Sequence, residues 1–376
     1  MLFLWSSDYL TGLLAIPGGL AQYLGEGIVQ FFMNPVNGAI AYALLFVVAQ
    51  LLSATLLRQF FPTVKPAYQL VLSLIPPVIL WWLAMQPHIP LTPTIAVLLV
   101  MGVACAVMRI SAKRTQVIVL CVLIPVMYWL TGPAAVLLTL CCIRWIPLTA
   151  TLLAACVIGS SFITPYPLAQ LAKGIDYDWS GEKQMGTYEE MACDMLMRQK
   201  NWDKILRKFQ SPVSPAVRSA YILASYQTGQ ISYQELMSKV VIPQNLFASE
   251  PSVFCISDVH FVVYFGSVTS AFMVSDMASL LSWPNIAQRA AFEAMEYVPN
   301  YNKSGRALRH LTEICIITGQ HALARKYLSI LDNTTFYHQW AEKMRPLLDN
   351  PKLIDNYPFL KKSKEKYAQT EDIFFI

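Results

Sequence analysis

The stretch GAIAYALLFVVAQLLSATLL, which runs from Gly38 to Leu57, contains no Asp, Glu, Lys or Arg. About 20 consecutive apolar residues in an α-helix are needed to cross the roughly 30 Å hydrocarbon core of a bilayer. The stretch therefore predicts a membrane-spanning helix. The whole composition agrees with this interpretation, because 55% of the 376 residues are hydrophobic and only 14% are charged, as is typical of integral membrane proteins.

Five further apolar stretches follow the first one, separated by polar breaks. Pro76, Pro77 and Pro125 lie inside two of them and predict helix kinks, which packed membrane helices tolerate. We therefore expect a transmembrane helix bundle of about six spans over residues 38–164. The predicted spans are Gly38–Leu57, Gln69–Met85, Pro93–Met108, Gln116–Thr131, Pro133–Ile143 and Ile146–Ile163.

The charges divide the chain into two parts of different chemistry. The first 172 residues hold six of the 28 bases and two of the 23 acids, and all the others follow. The second part is therefore expected to be soluble, while the lipid bilayer is the predicted partner of the first. The formal net charge of +5 comes with no dominant basic surface, so no nucleic-acid partner is predicted.

The six bases of the first part lie in alternate loops. Lys and Arg near span ends accumulate on the cytoplasmic side, so residues 1–37 and the chain after Pro165 are predicted to lie outside the cytoplasm. This makes an inner-membrane protein with a periplasmic second part. If residues 116–143 formed one broken span instead, the second part would be cytoplasmic, and the sequence leaves this open. The bases are Arg58, Lys65, Arg109, Lys113, Arg114 and Arg144.

The segment before the first span predicts an amphipathic helix. When residues 20–32 are wound at 3.6 residues per turn, Gln22, Glu26 and Gln30 lie opposite an apolar stripe. We expect this helix to lie in the membrane interface or against protein, with Glu26 pointing away from the apolar side. Residues 1–16 contain no Lys or Arg, which argues against a secretory signal.

The second part reads as pairs of helices joined by polar turns, so the predicted fold class of the whole chain is all-α. A connector rich in Pro, Gly and Asp covers residues 165–187, a tetratricopeptide-like domain covers 188–350, and a basic tail covers 351–376. Residues 254–265 are interpreted as helix or loop, since a lone strand would have no partner. The predicted helix pairs are Tyr188–Leu196 with Trp202–Phe209, Pro215–Tyr226 with Ser232–Val241, and Gly305–Ile317 with Ala322–Leu331.

Four acids outside the spans are candidate site residues. Asp8 and Glu26, in the outer segment, are candidates for a general base or metal ligand. Asp176 and Asp178, spaced two apart in the connector, are candidate ligands for a cation if their loop lets them converge. The chain carries no motif for phosphate binding, zinc or nucleophilic catalysis, and it identifies no cofactor.

Short motifs at both ends of the chain resemble a family of uncharacterised multi-pass membrane proteins of Bacteroidota, defined as a domain of unknown function. The resemblance implies an inner-membrane protein with a tetratricopeptide-like domain and brings no catalytic residues. It also implies a further membrane helix ahead of Pro17, so the chain resembles a member that begins late. The motifs are PGGLA at 17–21, AFEAME at 291–296, NYNKSGR at 300–306, GQ at 319–320, ARKYL at 324–328 and FYHQWA at 336–341.

Two functional hypotheses follow from these observations. The first is an envelope scaffold in which the membrane bundle anchors a helical-repeat domain that binds a partner protein outside the cytoplasm. The second is a membrane glycosyltransferase-like enzyme that uses lipid-linked sugars, with Asp8 or Glu26 of the first outer loop at its site. The sequence itself specifies no reaction.

Overall fold

A computed structural model describes residues 2–141, 146–179, 185–241, 261–262, 266–298 and 304–369. Nearly all the regular structure in these residues is helical, which confirms the all-α prediction. By their internal contacts the residues form two compact units, Phe3–Gly181 and Glu182–Ile376.

The first unit contains ten helices among the described residues. Four of its helical segments, Pro35–Phe60, Pro66–Ala84, Arg114–Leu140 and Ile146–Ile163, are long and apolar enough to cross a membrane. This confirms a membrane protein with several spans. The helices are α1 Ser7–Leu14, α2 Gly19–Val29, α3 Pro35–Phe60, α4 Pro66–Leu72, α5 Ile75–Ala84, α6 Thr92–Val107, α7 Lys113–Thr131, α8 Val136–Cys141, α9 Ile146–Ile163 and α10 Leu168–Lys173.

Two of the six predicted spans differ from this set. The predicted span over 93–108 corresponds to α6, which is shorter than the four long segments. The predicted span over 133–143 corresponds to a 3₁₀ turn, Gly132–Ala135, followed by the short α8. At Gly132 the backbone leaves the helical region, with φ 65° and ψ −145°, so the regular helix breaks between α7 and α8.

Helix α6 forms the centre of the first unit. It packs against α2, α3, α7 and α8, and Ala96, Val100 and Ala104 are almost fully buried. Small side chains allow neighbouring helices to approach closely, as is common in membrane bundles. The long outer helices instead expose Leu44, Trp82 and other apolar side chains, as expected of surfaces that face lipid.

The second unit is built from successive helix pairs. Its helices α11, α12, α13, α14, α17 and α18 lie within a few residues of the predicted positions, and a further pair, α15 and α16, was not predicted. The helices are α11 Tyr188–Arg198, α12 Trp202–Lys208, α13 Pro215–Gln227, α14 Tyr233–Ser238, α15 Val268–Leu280, α16 Pro284–Glu296, α17 Gly305–Ile317, α18 His321–Leu331, α19 His338–Met344, α20 Pro346–Asp349 and α21 Pro358–Gln369.

One local prediction in this unit is corrected. Strand β1, Val240–Val241, pairs in parallel with strand β2, Phe261–Val262, so the interpretation of residues 254–265 as helix or loop is wrong at 261–262. The remaining residues of that stretch lie outside the described part of the chain. The start of the predicted basic tail folds as a 3₁₀ helix, Pro351–Asn356, and α21, which packs on α17.

Candidate functional site

The polar stripe of α2 is its buried face. Gln22, Glu26 and Gln30 are only 6%, 4% and 9% exposed, whereas Leu24 and Phe31 are largely exposed. Glu26 therefore lies opposite the apolar stripe, as predicted, and its side chain is buried against protein. Against a bundle surrounded by lipid, the apolar stripe of a helix can face outward, and the polar stripe must find hydrogen-bond partners inside.

Hydrogen bonds from three side chains surround Glu26. The Tyr9 hydroxyl donates to Glu26 Oε2, and Gln22 Nε2 donates to Glu26 Oε1 over 2.9 Å. Gln30 Nε2 donates to the Glu26 backbone carbonyl over 3.1 Å. The rings of Phe3 and Tyr9 pack edge to face, with centroids 5.8 Å apart. The structure thus brings Tyr9 to Glu26, while the neighbouring Asp8 is exposed.

Two glycines of the α2 segment let the helix lie close to the bundle. Gly18 has φ 90°, its N–H donates to the Trp129 carbonyl over 2.9 Å, and a Cβ there would lie 3.7 Å from the Gly132 nitrogen. A Cβ on Gly25 would lie 3.2 Å from the Thr92 nitrogen. Positive φ and close backbone approach both favour glycine. Gly18 therefore lets the start of α2 lie against the C-terminal end of α7, and Gly25 lets α2 pack against the N-terminus of α6.

The second buried acid, Asp176, lies at the same helix terminus. The Thr92 hydroxyl donates to Asp176 Oδ2 over 2.5 Å, and Trp179 Nε1 donates to Asp176 Oδ1 over 3.0 Å. Thr92 is the first residue of α6, and a carboxylate near a helix N-terminus is stabilised by the helix dipole. Asp178 is exposed, so the two predicted cation ligands lie in different environments.

Tyr177 fixes the loop that carries Asp176. Its hydroxyl donates to the Thr131 carbonyl over 2.5 Å, and burial raises the pKa of this hydroxyl. A Cβ on Gly174 would lie 2.5 Å from the Tyr177 ring. These contacts hold the loop against the C-terminal end of α7, which keeps the Asp176 carboxylate on Thr92.

From each predicted pair of acids, one carboxylate is buried and the other is exposed. The buried acids, Glu26 and Asp176, flank the N-terminus of α6, and we call this arrangement the α6-end site. Its carboxylates can accept hydrogen bonds or a proton from a substrate group. Among the described residues, no three His, Cys, Asp or Glu side chains cluster closely enough to hold a metal ion.

A second constellation lies in the helix pairs and was not predicted. Arg306 donates to Asp194 through Nη1 at 3.0 Å and Nη2 at 2.6 Å, and it also donates to Asp276. His310 Nε2 lies 2.5 Å from Asp276 Oδ1, and His310 Nδ1 lies 3.8 Å from Glu313 Oε2. We call these five residues the Arg306 cluster. Their side chains are 13–17% exposed.

Charge pairing determines the protonation of this cluster. Burial alone would raise the pKa of Asp276, but Arg306 and His310 hold it well below its usual range. Burial alone would lower the pKa of His310, but Asp276 and Glu313 outweigh burial and raise it. Opposite charges within a few ångströms favour the charged form of each group. Asp276 is therefore ionised at neutral pH, and His310 tends towards its protonated form.

The Arg306 cluster joins three helices that are distant in sequence. Asp194 lies on α11, Asp276 on α15 and Arg306 on α17, so the ion pairs fix the relative positions of these helices. The only signal in the sequence is local: Arg306, His310 and Glu313 have the spacing of one helix face. Their acidic partners are 30 and 112 residues from Arg306, which no local pattern reveals.

Aromatic rings cover the exposed edge of the cluster. The Arg306 guanidinium lies 4.8 Å from the Phe272 ring centroid, and the Arg309 guanidinium lies 5.2 Å from the Trp340 ring centroid. Burial raises the pKa of Tyr337, and the positive charges of Arg198, Arg309 and Arg306 oppose this rise. The edge thus combines arginines with aromatic side chains.

The architecture defines an all-α, multi-pass membrane protein that also contains a unit of packed helix pairs. The family model described as Family of unknown function (DUF6057) matches residues 1–376. The chain therefore belongs to this family, which confirms the resemblance to an uncharacterised family. Comparison with curated proteins and with solved structures gave no match.

Proposed function

We propose that this protein is an envelope scaffold of the inner membrane, in which the bundle anchors a tetratricopeptide-like domain that binds a partner protein outside the cytoplasm. The observation that carries the proposal is the half-exposed edge of the Arg306 cluster, where Arg309 stacks on Trp340. Arg, Trp and Tyr are enriched among the residues that dominate binding energy at protein interfaces. Stacked helix pairs are typical of domains whose extended surfaces bind other proteins.

The packing of the helix pairs supports the repeat interpretation. The first helices of neighbouring pairs contact each other, α11 with α13, α13 with α15, and α15 with α17. Contacts between neighbouring units are the defining feature of repeat domains. The Arg306 cluster also links the first, third and fourth of these helices, so their shared face is held in one shape before any partner binds. Such preorganisation lowers the entropic cost of binding.

The course of α7 and α9 supports the six-span topology. The Tyr128 hydroxyl lies 3.0 Å from Ser160 Oγ and 3.5 Å from the Leu171 carbonyl. The C-terminal ends of α7 and α9 are therefore neighbours. We count residues 133–143 as a separate pass because the regular helix breaks at Gly132. With that pass included, the alternation of basic loops favours a location of the second unit outside the cytoplasm.

A reporter fusion tests this orientation. Alkaline phosphatase, which is active only outside the cytoplasm, is fused after Pro165, and green fluorescent protein is fused there in a parallel strain. We expect phosphatase activity and no fluorescence. The same pair of reporters after Lys113 serves as the control, with the reverse result expected. Fluorescence after Pro165 would place the second unit in the cytoplasm and refute the envelope scaffold.

Photo-crosslinking tests the binding surface. A benzophenone amino acid replaces Trp340 in the full-length chain in native membranes, and we expect it to capture a defined envelope protein. The control position is Phe292 on α16, which is 40% exposed and is not one of the aromatic residues named beside the Arg306 cluster. When the benzophenone amino acid replaces Tyr337 instead of Trp340, Arg309→Ala should abolish capture of that protein. Equal capture from Phe292, or capture unaffected by Arg309→Ala, would contradict the proposal.

A second candidate function is favoured by the α6-end site. In this alternative, the protein is a glycosyltransferase-like membrane enzyme that uses lipid-linked sugars, with Glu26 as the acidic residue at its site. The specific observation is the burial of Glu26 and Asp176 beside one helix terminus, since ionisable groups inside membrane proteins commonly serve function. Glu26→Gln should then abolish cellular function, while Asp8→Asn, the exposed control, should not. Retained function in Glu26→Gln would exclude the enzyme.

A further inference from the structure

Helix α11 carries two apolar faces. One face holds Cys193 and Met197, which are buried in the core of the second unit. The opposite face holds Tyr188, Met191 and Met195, whose exposed fractions are 79%, 39% and 47%. Their spacing of three and four residues places them in a single stripe along the helix. The first helix of the second unit therefore presents apolar side chains on its outer side.

The exposed stripe continues onto the segment before α13. Ser214 Oγ donates to Glu190 Oε1 over 2.5 Å, and the Ser214 N–H donates to Glu189 Oε2 over 3.4 Å. These bonds hold the preceding residue, Val213, beside the first turn of α11, and Val213 is 85% exposed. We call the exposed apolar side chains of α11 and of this neighbouring segment the α11 patch: Tyr188, Met191, Met195 and Val213.

The helix pair that carries the α11 patch, α11 and α12, is rich in exposed basic side chains. Lys208 Nζ lies 5.8 Å from the centroid of the Tyr188 ring. Five bases of this helix pair are exposed, but Asp203 is its only exposed acid, and Glu189 is half-buried. An apolar stripe flanked by Lys and Arg is the pattern of helices that lie in a membrane interface and contact anionic lipids. The exposed bases are Arg198, Lys200, Lys204, Arg207 and Lys208.

The segment between α9 and α11 tethers the second unit to the membrane-embedded first unit. Only 24 residues separate the end of α9 at Ile163 from the start of α11 at Tyr188. A tether of this length spans at most about 85 Å when fully extended, and part of it is wound into α10. Tethering converts membrane docking into an intramolecular event with a high effective concentration. A weak interfacial contact is therefore sufficient for docking.

We propose that the α11 patch docks on the surface of the bilayer in which the first unit is embedded, with Tyr188, Met191, Met195 and Val213 in the interface and the exposed bases of the helix pair on anionic phospholipid headgroups. Two lysines of the basic tail, by contrast, contact groups of the second unit itself. Lys366 donates to the Leu281 carbonyl over 2.6 Å, and Lys361 pairs with Asp355 at 3.0 Å. Those two lysines are engaged within the second unit.

Site-specific crosslinking to lipid tests the proposal. The full-length chain is placed in nanodiscs of phosphatidylcholine with phosphatidylglycerol, and a benzophenone amino acid is incorporated at Tyr188 or at Met195. Mass spectrometry then measures phospholipid adducts. Phe292 and Phe336, which are 40% and 41% exposed, are the matched control positions in the same unit. We expect adducts at Tyr188 and Met195 to exceed those at either control by at least about tenfold.

Neutralising basic residues of the helix pair is the second test of the proposal. The substitutions Lys204→Gln, Arg207→Gln and Lys208→Gln remove three bases near the patch, and they should lower the ratio of docked to undocked protein by at least about tenfold in anionic nanodiscs. The adduct yield of this triple variant in anionic nanodiscs should then equal that of the natural chain in nanodiscs of pure phosphatidylcholine. Three outcomes would overturn the proposal: equal adduct yields at Phe292, yields unaffected by the three substitutions, or crosslinks at Tyr188 to protein instead of lipid.

Discussion

The two units bury carboxylates in different ways. In the α6-end site, Glu26 and Asp176 accept hydrogen bonds from hydroxyl, amide and indole groups. In the Arg306 cluster, Asp194 and Asp276 contact a guanidinium and an imidazole. Hydrogen bonding and ion pairing both offset the cost of taking an acid out of water. The α6-end carboxylates are held by neutral donors, whereas the Arg306 carboxylates are held by cationic side chains that join three helices.

The largest effect on stability is expected when Arg306, the guanidinium of the second unit's buried cluster, is removed. Arg306→Ala leaves Asp194 and Asp276 without their main partner, and breaking a buried ion pair in this way costs about 3–5 kcal/mol. We expect the free energy of unfolding, measured by denaturant titration of the second unit's transition in the purified chain, to fall by that amount.

Arg325→Ala is the matched control for Arg306→Ala. Arg325 pairs with Asp349 at 2.6 Å, but both side chains are more than 60% exposed. Exposed ion pairs contribute about 0–1 kcal/mol, so this variant should unfold almost like the natural chain. Equal effects of the two substitutions would show that the Arg306 cluster is no more important than a surface pair.

The next largest loss of stability is expected when the Tyr9 hydroxyl, a neutral hydrogen-bond donor in the first unit, is removed. Tyr9→Phe removes the hydroxyl that donates to Glu26 Oε2 and leaves a buried acceptor short of one partner, at a cost of about 1–3 kcal/mol. Thermal unfolding in detergent micelles should record the loss. Tyr23→Phe is the control, because Tyr23 packs in the same aromatic group and its hydroxyl makes no hydrogen bond within the described residues. An equal loss in both variants would assign the effect to ring packing.

The different surroundings of the two units also explain which features could be predicted from the sequence. Helices α11 to α14, α17 and α18 were predictable because their apolar residues repeat at helical spacing around a core surrounded by water, whereas α15 and α16 were not predicted. The same rule fails for α2, because in a membrane unit the apolar stripe can face lipid and the polar stripe can face protein. The Arg306 cluster was unpredictable for another reason, since its acids and its base approach each other only through long-range packing.

A third prediction tests how α2 comes to bury Glu26. Gly25→Ala would place a methyl group 3.2 Å from the Thr92 nitrogen, and the crowded atoms are backbone, which cannot move aside easily. Overpacking of this kind costs about 1–3 kcal/mol. Gly102→Ala is the control, since a Cβ there meets nothing within 4 Å and gains the same helix propensity. The thermal midpoint in micelles should fall for Gly25→Ala relative to Gly102→Ala, and a difference of zero would contradict the close packing of α2 on α6.

The smallest expected effect is a pH dependence confined to the second unit. The pKa of His310 is raised above its ordinary value of about 6.5 by Asp276, against the opposing effect of burial. A raised folded-state pKa means that protonated His310 stabilises the fold. This stabilisation is complete below about pH 6.5 and is lost as the pH rises through the folded-state pKa, with a slope of at most about 1.4 kcal/mol per pH unit.

His310→Gln separates this titration from the rest of the molecule. The natural chain should show a falling free energy of unfolding as the pH rises above about 6.5, and the variant should lose that decline while being less stable at lower pH. His338→Gln serves as the control, because His338 lies 3.4 Å from Glu342 on an exposed surface, where solvent screens the pair. If His310→Gln retained the full slope, the pH dependence would come from another group, and the Arg306 cluster would owe its stability to Arg306 alone.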